Sequence, residues 1–387
     1  MAGDYIDYHI NKNSKAILKE VKGFTSKLLN TTGIELDSQA DPSANVLPDS
    51  PLWQVIAAYR ELDLHTMNIP DNLGGMQGLD GLTRTLIKES LGAGDLGLSM
   101  GLLLSDLPFH IAAHSHDSAH KKLATAYCDD REGKLIGCVM GGDGISPSSL
   151  TGSISSDGIV LNGAAPNVIN GSIATHAFAR VQLKKEGDDA GTPAMALFSL
   201  DQPGIVRGTP TTHNGIRTLN QCEIRFADVN LPLSCLLAPE DGGEQLNAAI
   251  TMSLFLDMGA LYSGLAQSSL TLAKNYAQTR IQGGVPIIQH QNVKLALFQM
   301  FEMIESVSAF ARQLALYGEK IVPAHAVALK RMATKTAVRT SSDAIQIFGG
   351  NGLAKEYPVE KLFREAQAGT VSLGENNWMA ILSTGDI

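Results

Sequence analysis

The segment from Ser342 to Glu375 constrains this chain more than any other, because it interrupts a helix with a glycine-rich loop. It reads SDAIQIFGGNGLAKEYPVEKLFREAQAGTVSLGE, in which a helical pattern breaks at Gly349 and Gly350 and resumes at Pro358. Proline suits the first turn of a helix, and glycine permits positive φ and close approach of the backbone to a ligand. Gln346, one turn upstream, has an amide suited to binding phosphate or ribose. A glycine-rich end is also a common helix stop, so the loop alone leaves both interpretations open.

The same segment carries an ordered series of motif residues. They are Gln346, Gly349, Gly350, Glu356, Tyr357, Pro358, Glu360 and Arg364. In this order they resemble the C-terminal signature of the acyl-CoA dehydrogenase family, which runs Q-I-F/L-G-G-x-G, then E-Y-P-V-E, then an R-D-A step. Members of that family are flavoenzymes that oxidise the Cα–Cβ bond of acyl thioesters. The resemblance implies that Gln346, Gly349 and Gly350 contact FAD.

Two further stretches extend the resemblance over most of the chain. Residues 69–75, IPDNLGG, are similar to the family's I-P-E-x-Y-G-G turn. Residues 273–291, AKNYAQTRIQGGVPIIQHQ, are similar to its Y-A-x-x-R-x-x-F-G segment and the H/F-Q that follows. This second match implies that Arg280, His290 and Gln291 reach the flavin nucleotide.

The texture of the sequence predicts three parts and an α+β multidomain fold. Helical periodicity dominates up to about residue 131, short alternating runs bounded by turn residues fill 132–238, and long helical patterns return in 239–387. We therefore predict an N-terminal helical domain at 1–131, a middle β-domain at 132–238 and a C-terminal helical domain at 239–387. The resemblance implies the acyl-CoA dehydrogenase fold, with a central β-barrel-like domain and a C-terminal four-helix bundle.

Composition agrees with a soluble enzyme. The chain has 387 residues, of which 44% are hydrophobic and 18% charged, so it can bury two or three cores. A net charge of −9 and a pI near 5.6 argue against a nucleic-acid-binding surface. The four cysteines show no C-x-x-C spacing, which argues against zinc and favours free thiols. With neither a secretory pattern at the start nor 18 consecutive apolar residues, the sequence predicts a cytoplasmic protein without a membrane segment.

The middle part departs from the family where a flavin ring is expected. The family's T-E-P-x-x-G-S loop is replaced by residues 138–153, CVMGGDGISPSSLTGS, in which Met140 stands near the expected threonine. Ser146 keeps the character of the loop, and the resemblance implies that it contacts the flavin. The W-I-T/S-N-G turn becomes NVING, with Asn167 for the tryptophan and Ile169 for the hydroxyl residue. Neither replacement supplies the same stacking surface or O–H donor.

A second departure concerns the catalytic base. Removing a Cα proton beside a thioester requires a carboxylate in a dry pocket. In most family members it is a glutamate nine residues after the arginine of the R-D-A step, and counting from Arg364 gives Leu373. Other members carry it on the helix before the G-L-A-Q segment, where this chain has Leu254 followed by Phe255. Both positions are therefore apolar in this protein.

Two acidic residues close to these leucines are candidate replacements. Asp257 lies three residues after Leu254, on the same helix face, and is the one carboxylate in the run MSLFLDMGAL. Glu375 lies two residues after Leu373. The alternative for Asp257 is a hydrogen-bonded buried carboxylate. For Glu375 the alternative is a charge at the start of the helix NNWMAIL.

Two other motifs are better explained by structure than by catalysis. Residues 97–101, GLSMG, match the G-x-S-x-G nucleophile elbow of esterases, but the residues before them predict a helix rather than the required strand. His110 and His114 have i, i+4 spacing without the acidic residue that a zinc protease needs, and we predict a solvated helix end.

The sequence therefore predicts an FAD-dependent oxidoreductase acting on the CH–CH group of an acyl thioester, with Asp257 or Glu375 as its base. One alternative is a base-free partner subunit in a mixed oligomer, which lends FAD contacts or structure to an active chain. Another is a flavin-dependent reductase or oxygenase on the same scaffold. The resemblance also implies a homo-oligomer, a dimer or tetramer, in which a neighbouring subunit helps to bind FAD. It further implies electron transfer to an electron transfer flavoprotein, and a role in fatty acid metabolism.

Overall fold

A computed structural model of the chain describes residues 10–141, 149–155, 158–184, 191–237 and 243–386. Its N-terminal part is helical, and aspartate or asparagine side chains cap several of its helices, as they do wherever the first N–H groups of a helix need acceptors. Asn11, Asp80, Asp95 and Asp117 accept backbone hydrogen bonds at four such starts. The helices are α1 (Lys12–Phe24), α2 (Asn30–Ser38), α3 (Leu52–Glu61), α4 (Gly81–Gly94), α5 (Leu96–His114) and α6 (Ser118–Asp129).

Among its described residues, the middle part contains seven strands in one mixed sheet. They are β1 (Gly137–Met140), β2 (Thr151–Ser155), β3 (Gly158–Ile169), β4 (His176–Lys184), β5 (Thr192–Ser199), β6 (Ile205–Arg207) and β7 (Gln221–Leu231). The hydrogen-bonded order is β1-β4-β2-β3-β7-β6, and β5 pairs with β4. Both β1 and β2 run parallel to β4, whereas its pairing with β5 is antiparallel.

The described strands do not close into a barrel, so the barrel-like prediction is corrected to an open sheet. One end of the path is β6, a strand of three residues that pairs with β7. At the other end, β1 and β2 pair with successive parts of β4. The two ends therefore do not meet in a ladder.

The C-terminal part is again helical, as predicted. It comprises α7 (Gly243–Thr279), α8 (Gln291–Tyr317), α9 (Pro323–Phe348), α10 (Val359–Ala368) and α11 (Asn376–Leu382), with a two-stranded turn of β8 (Ile281–Gln282) and β9 (Val285–Pro286) between α7 and α8. Helix α7 also packs closely on α4 of the N-terminal part. At their crossing an added Cβ on Gly264 would lie 1.9 Å from the carbonyl oxygen of Glu89, so a larger residue would push these helices apart.

Helix α5 and residues 245–279 of α7 are long and apolar enough to cross a membrane by length and composition. However, 89% of the apolar window of α5 and 67% of that of α7 is buried inside the protein. Both helices therefore have the character of core helices.

A buried ionic network joins the N-terminal and C-terminal parts. The ammonium group of Lys361 in α10 lies 2.6 Å from a carboxylate oxygen of Asp95 and 2.6 Å from one of Glu365. Asp95 also accepts a hydrogen bond from Thr218, which precedes β7. Burial lowers the pKa of Lys361 while the two carboxylates raise it, and the carboxylates prevail. Lys361 is therefore charged, and it compensates two acids with almost no access to solvent.

Candidate functional site

A cleft of about 670 Å³ lies between α5 and α7, and we call it the α5–α7 cleft. Part of its wall is polar, with Asn68, Arg84, His110 and His114 among its residues, and both helices turn an i, i+4 row of aliphatic side chains towards it. These side chains include Leu103, Leu107, Ile111, Leu246, Ile250 and Leu254. These two rows offer apolar surface to an apolar chain.

Asp257 places a carboxylate in this cleft. It lines the cleft one turn after Leu254 and forms an ion pair with Lys88 of α4. Their side chains are 14% and 10% exposed, respectively. The carboxylate is therefore sheltered from solvent, its charge is compensated, and it still borders space that a ligand can occupy.

The two segments in which family members carry the catalytic base pack against each other in this structure. An added Cβ on Gly374 would lie 3.3 Å from the ring of Phe255, so the loop that contains Leu373 packs beside the α7 turn that contains Leu254. Leu373 is buried and has a φ of 54°, which is uncommon for a leucine. The segments that carry the two leucines are therefore neighbours, and neither leucine can transfer a proton.

Lys330 of α9 supports this loop from behind. It is 1% exposed, it donates a hydrogen bond to the carbonyl oxygen of Gly374, and its ammonium group lies 5.5 Å from the ring centre of Phe255. Burial lowers the pKa of Lys330 to about 8, although the carboxylate of Glu375 opposes this shift.

The lowered pKa of Lys330 predicts a pH-dependent stability. Between its folded pKa of about 8 and the ordinary value of 10.5, the unfolded chain binds more protons, so the free energy of unfolding should rise with pH. We expect Lys330→Met to reduce the slope of the unfolding free energy against pH by up to about 1.4 kcal/mol per pH unit. Denaturant unfolding between these pH values measures it. Lys335→Met, on an exposed lysine of the same helix, should leave the slope unchanged. Equal slopes in both variants would contradict the assignment.

Glu375 does not face the α5–α7 cleft. Its carboxylate caps α11, where it accepts hydrogen bonds from the backbone N–H groups of Asn377 and Trp378 at 3.0 and 2.7 Å. These bonds lower the pKa of this exposed group. The geometry is that of a helix-start charge, the alternative that the sequence left open. Of the two predicted acids, the structure thus places Asp257 at the cleft.

A second cleft, of about 540 Å³, lies between the end of α7, the start of α8 and the end of α9. We call it the α7–α8 cleft. It brings together five of the residues predicted to contact a nucleotide, Arg280, His290, Gln346, Gly349 and Gly350. Gln291 is the first residue of α8, directly after His290. Ser146 lies outside the described residues.

The α7–α8 cleft has the chemistry of a nucleotide phosphate site. Arg280 supplies a cation, and the first turn of α8, which has no side-chain cap, presents backbone N–H groups. Gly349 has a φ of 61°, and a Cβ added to Gly349 or Gly350 would meet open space, so the backbone there is accessible to a ligand. The ring nitrogen Nε2 of His290 lies 3.1 Å from the carbonyl oxygen of Gln282, which fixes the orientation of the ring.

The remaining motifs lie on α5, where His114 is exposed at the helix end, as predicted, and lines the α5–α7 cleft together with His110. GLSMG lies inside α5, so it cannot form a strand-to-helix elbow. His110 is buried rather than solvated, and burial lowers its pKa to about 4, because α5 is enclosed by neighbouring helices and the sheet. Among the described residues no cluster of His, Cys, Asp and Glu is arranged to hold a metal ion. The four cysteines are free thiols.

Lys88 and Lys330 are the residues of this region that the sequence did not single out. Each lies within an amphipathic helix, where a lysine is usually solvated. Lys88 forms an ion pair with Asp257, which is 169 residues away in sequence, and Lys330 donates a hydrogen bond to Gly374, which is 44 residues away. No local pattern predicts either contact.

Comparison with known proteins agrees with this architecture. Residues 256–383 match the family described as acyl-CoA dehydrogenase, C-terminal domain. The short-chain specific acyl-CoA dehydrogenase of Megasphaera elsdenii is 28% identical over 227 residues, 58% of this chain and 59% of that protein. The mitochondrial short-chain specific enzyme of Rattus norvegicus is 25% identical over 397 aligned positions, 99% of this chain and 92% of that protein.

The fold is shared with a solved structure as well. Butyryl-CoA dehydrogenase from Megasphaera elsdenii superposes with a TM-score of 0.86 at 23% identity, over 97% of this chain and 98% of that one. The middle sheet and both helical parts are therefore those of an acyl-CoA dehydrogenase fold. The chain is thus similar to acyl-CoA dehydrogenases in fold over nearly its whole length, and its residues 256–383 match the family's C-terminal domain.

Proposed function

We propose that this protein is an FAD-dependent oxidoreductase that acts on the CH–CH group of an acyl thioester bound in the α5–α7 cleft. The observation that carries the proposal is a sheltered carboxylate, Asp257, in a partly aliphatic cleft one helical turn from Leu254. Leu254 marks one of the two places from which family members remove the Cα proton. The cleft therefore keeps a base near the expected reaction centre although both family positions are apolar.

The residues of the α7–α8 cleft are suited to hold FAD. Arg280 and the first turn of α8 would bind its phosphates, while Gln346 and the open backbone at Gly349 and Gly350 would contact its nucleotide portion. His290, Gln291 and Ser146 remain predicted contacts. When bound, FAD supplies the acceptor for the hydride that leaves Cβ.

The chain's own groups would perform the proton transfer and the positioning. The aliphatic wall of the α5–α7 cleft would hold the acyl chain away from water. Asp257 would accept the Cα proton, and Lys88 would keep its carboxylate oriented.

A second candidate function is a base-free partner subunit in a mixed oligomer. It is favoured by the two buried leucines at the family's base positions and by the capping role of Glu375. In that case Asp257 would be a structural ion-pair partner of Lys88. The chain would then lend FAD contacts to a neighbouring active subunit.

Association with other chains is part of the proposal. Large apolar side chains are exposed on α8 and α11, among them Leu295, Phe298, Trp378 and Ile381. We propose a homo-oligomer, a dimer or tetramer, that buries these faces, and an electron transfer flavoprotein as the electron acceptor. The cytoplasmic location, the role in fatty acid metabolism and the division at residues 131 and 238 also remain proposals.

A product assay separates the two candidate functions. The purified chain is incubated with short, branched and long acyl-CoAs and an artificial electron acceptor, and the enoyl product is followed by mass spectrometry. Product formed by this chain alone supports the dehydrogenase. Product formed only after a catalytically competent family member is added supports the partner subunit.

Replacing Arg280 tests the assignment of the nucleotide site. We expect Arg280→Gln to weaken FAD binding by about 10- to 100-fold, because a charge-assisted hydrogen bond contributes about 1.5–3 kcal/mol. Fluorescence titration of the apoprotein with FAD measures this change. Lys274→Gln, at an exposed lysine of the same helix, should leave the affinity unchanged. Equal affinities in the two variants would remove Arg280 from the site.

A further inference from the structure

Arg60 of α3 is a buried cation, and some of its N–H donors have no hydrogen-bond acceptor in the described part of the chain. It is 1% exposed, and its Nη2 donates to the carbonyl oxygen of Leu135 at 2.8 Å. The guanidinium carbon lies 4.1 Å from the ring centre of Tyr127. Nε and Nη1 have no partner among the residues that the structure describes. A buried donor without a partner is costly, and the cost is larger for a charged group.

A small internal cavity adjoins this side chain, and we call it the Arg60 cavity. It has a volume of about 30 Å³ and lies between α3, α5 and the residues that precede β7. Asn220 also lines it, and its Nδ2 has no partner in the described chain, while its Oδ1 accepts a hydrogen bond from Ser172 at 2.8 Å. A single water needs about 10–15 Å³ of such space, so the cavity has room for a ligand of one or two atoms.

The unpaired side-chain groups of the Arg60 cavity are donors. A water molecule there would accept hydrogen bonds from Arg60 and Asn220 but would need acceptors for its own two hydrogens. A monatomic anion accepts every such bond and also compensates the guanidinium charge. The carboxylate of Asp106 lines the same wall and can accept these hydrogens while it is ionised, so the donors favour an anion over water once Asp106 is protonated.

Asp106 is the acid that decides the charge of this region. Tyr59 and Tyr127 both donate hydrogen bonds to its carboxylate, and it too lines the cavity. Burial raises the pKa of Asp106 to about 7, although Arg60 and the two tyrosines oppose the shift. When Asp106 is protonated, the charge of Arg60 has no ionised partner beside it.

The other ionisable groups around Asp106 keep their state near neutral pH. Burial lowers the pKa of His65 to about 3 and that of His110 to about 4, so both rings are neutral. Lys88 is paired with Asp257. Burial and Asp106 keep the hydroxyl groups of Tyr59 and Tyr127 protonated by raising their pKa values.

We propose that the Arg60 cavity binds one small monovalent anion, chloride or bromide, through Nε and Nη1 of Arg60 and Nδ2 of Asn220. Protonation of Asp106 accompanies this binding, because an ionised carboxylate on the same wall repels the anion. Anion binding is thereby coupled to proton uptake and adds to stability more strongly in acid than in base.

Crystals and melting curves of the full chain test this proposal. In crystals grown with sodium bromide, we expect an anomalous peak in the Arg60 cavity. In solution at fixed ionic strength, replacing gluconate by chloride should raise the melting temperature, and more so at about pH 6 than at about pH 8. The absence of an anomalous peak, together with a melting temperature that does not respond to halide at either pH, would contradict the proposal and indicate that the cavity holds water.

Two variants test the site without replacing Arg60, whose loss could destabilise the protein. Asn220→Leu should weaken the halide response by about tenfold, since it removes one donor to a charged ligand. Asp106→Asn, which is neutral at every pH, should keep the response and lose its pH dependence. A response unchanged in Asn220→Leu, or one that still depends on pH in Asp106→Asn, would contradict the proposed site.

Discussion

Replacing Asp257 with asparagine is expected to lower the turnover of acyl thioester by about 10²- to 10⁴-fold, the usual contribution of a general base. The amide keeps the size of the side chain and its place beside Leu254, but it cannot accept a proton at neutral pH. Turnover is measured with a saturating acyl-CoA and an artificial electron acceptor. FAD content should not change, because the α7–α8 cleft contains no atom of Asp257.

Two control variants separate the chemistry from the ion pair. Lys88→Met removes the counter-charge and keeps the carboxylate, so it should retain turnover of the acyl thioester. Ser253→Ala alters another side chain of the same cleft and should have little effect. If Lys88→Met is as inactive as Asp257→Asn, the pair is structural, and the partner-subunit function is the better account.

Replacing Lys361 with methionine is expected to give the largest loss of stability, about 3–5 kcal/mol in the free energy of unfolding. The change leaves Asp95 and Glu365 close together, with side chains 1% and 0% exposed and no cation between them. Burial already raises the pKa of Glu365 to about 7 even though Lys361 opposes the shift, which shows how little solvent remains to support its charge. Guanidinium unfolding followed by circular dichroism measures the loss.

Lys355→Met provides the matched control for this network. Lys355 is an exposed lysine shortly before the same helix, so its replacement should change stability by no more than about 0.5 kcal/mol. Replacing Lys361, Asp95 and Glu365 together with apolar residues of similar size should recover much of the loss, because no buried charge is then left uncompensated. A loss below about 1 kcal/mol in Lys361→Met would contradict the picture of a dry network.

Local rules were sufficient where structure is decided by neighbours in sequence. The helix of the 342–375 segment ends at Phe348 and the next begins at Val359 after Pro358, as the glycines and the proline predicted. The start of the helix NNWMAIL could also be predicted, because an acidic residue before an apolar run is a common helix cap. Glu375 occupies that position.

Contacts between distant parts of the chain were beyond the reach of the sequence. Whether seven strands close into a barrel depends on which edges meet, and the pairing of β1 with β4 is set by packing rather than by residue type. The burial of His110 follows from the surroundings of α5, which a short polar motif cannot reveal. The partner of Asp257 could not be identified for the same reason.

The most direct test of the proposed chemistry is an anaerobic titration of the purified chain with acyl-CoAs, followed by visible spectroscopy. The proposal predicts flavin absorption bands that disappear as a suitable thioester is added, and that persist in Asp257→Asn under the same conditions. Stoichiometric FAD that remains oxidised with short, branched and long acyl-CoAs alike would contradict it. So would bleaching that proceeds equally well without the carboxylate of Asp257.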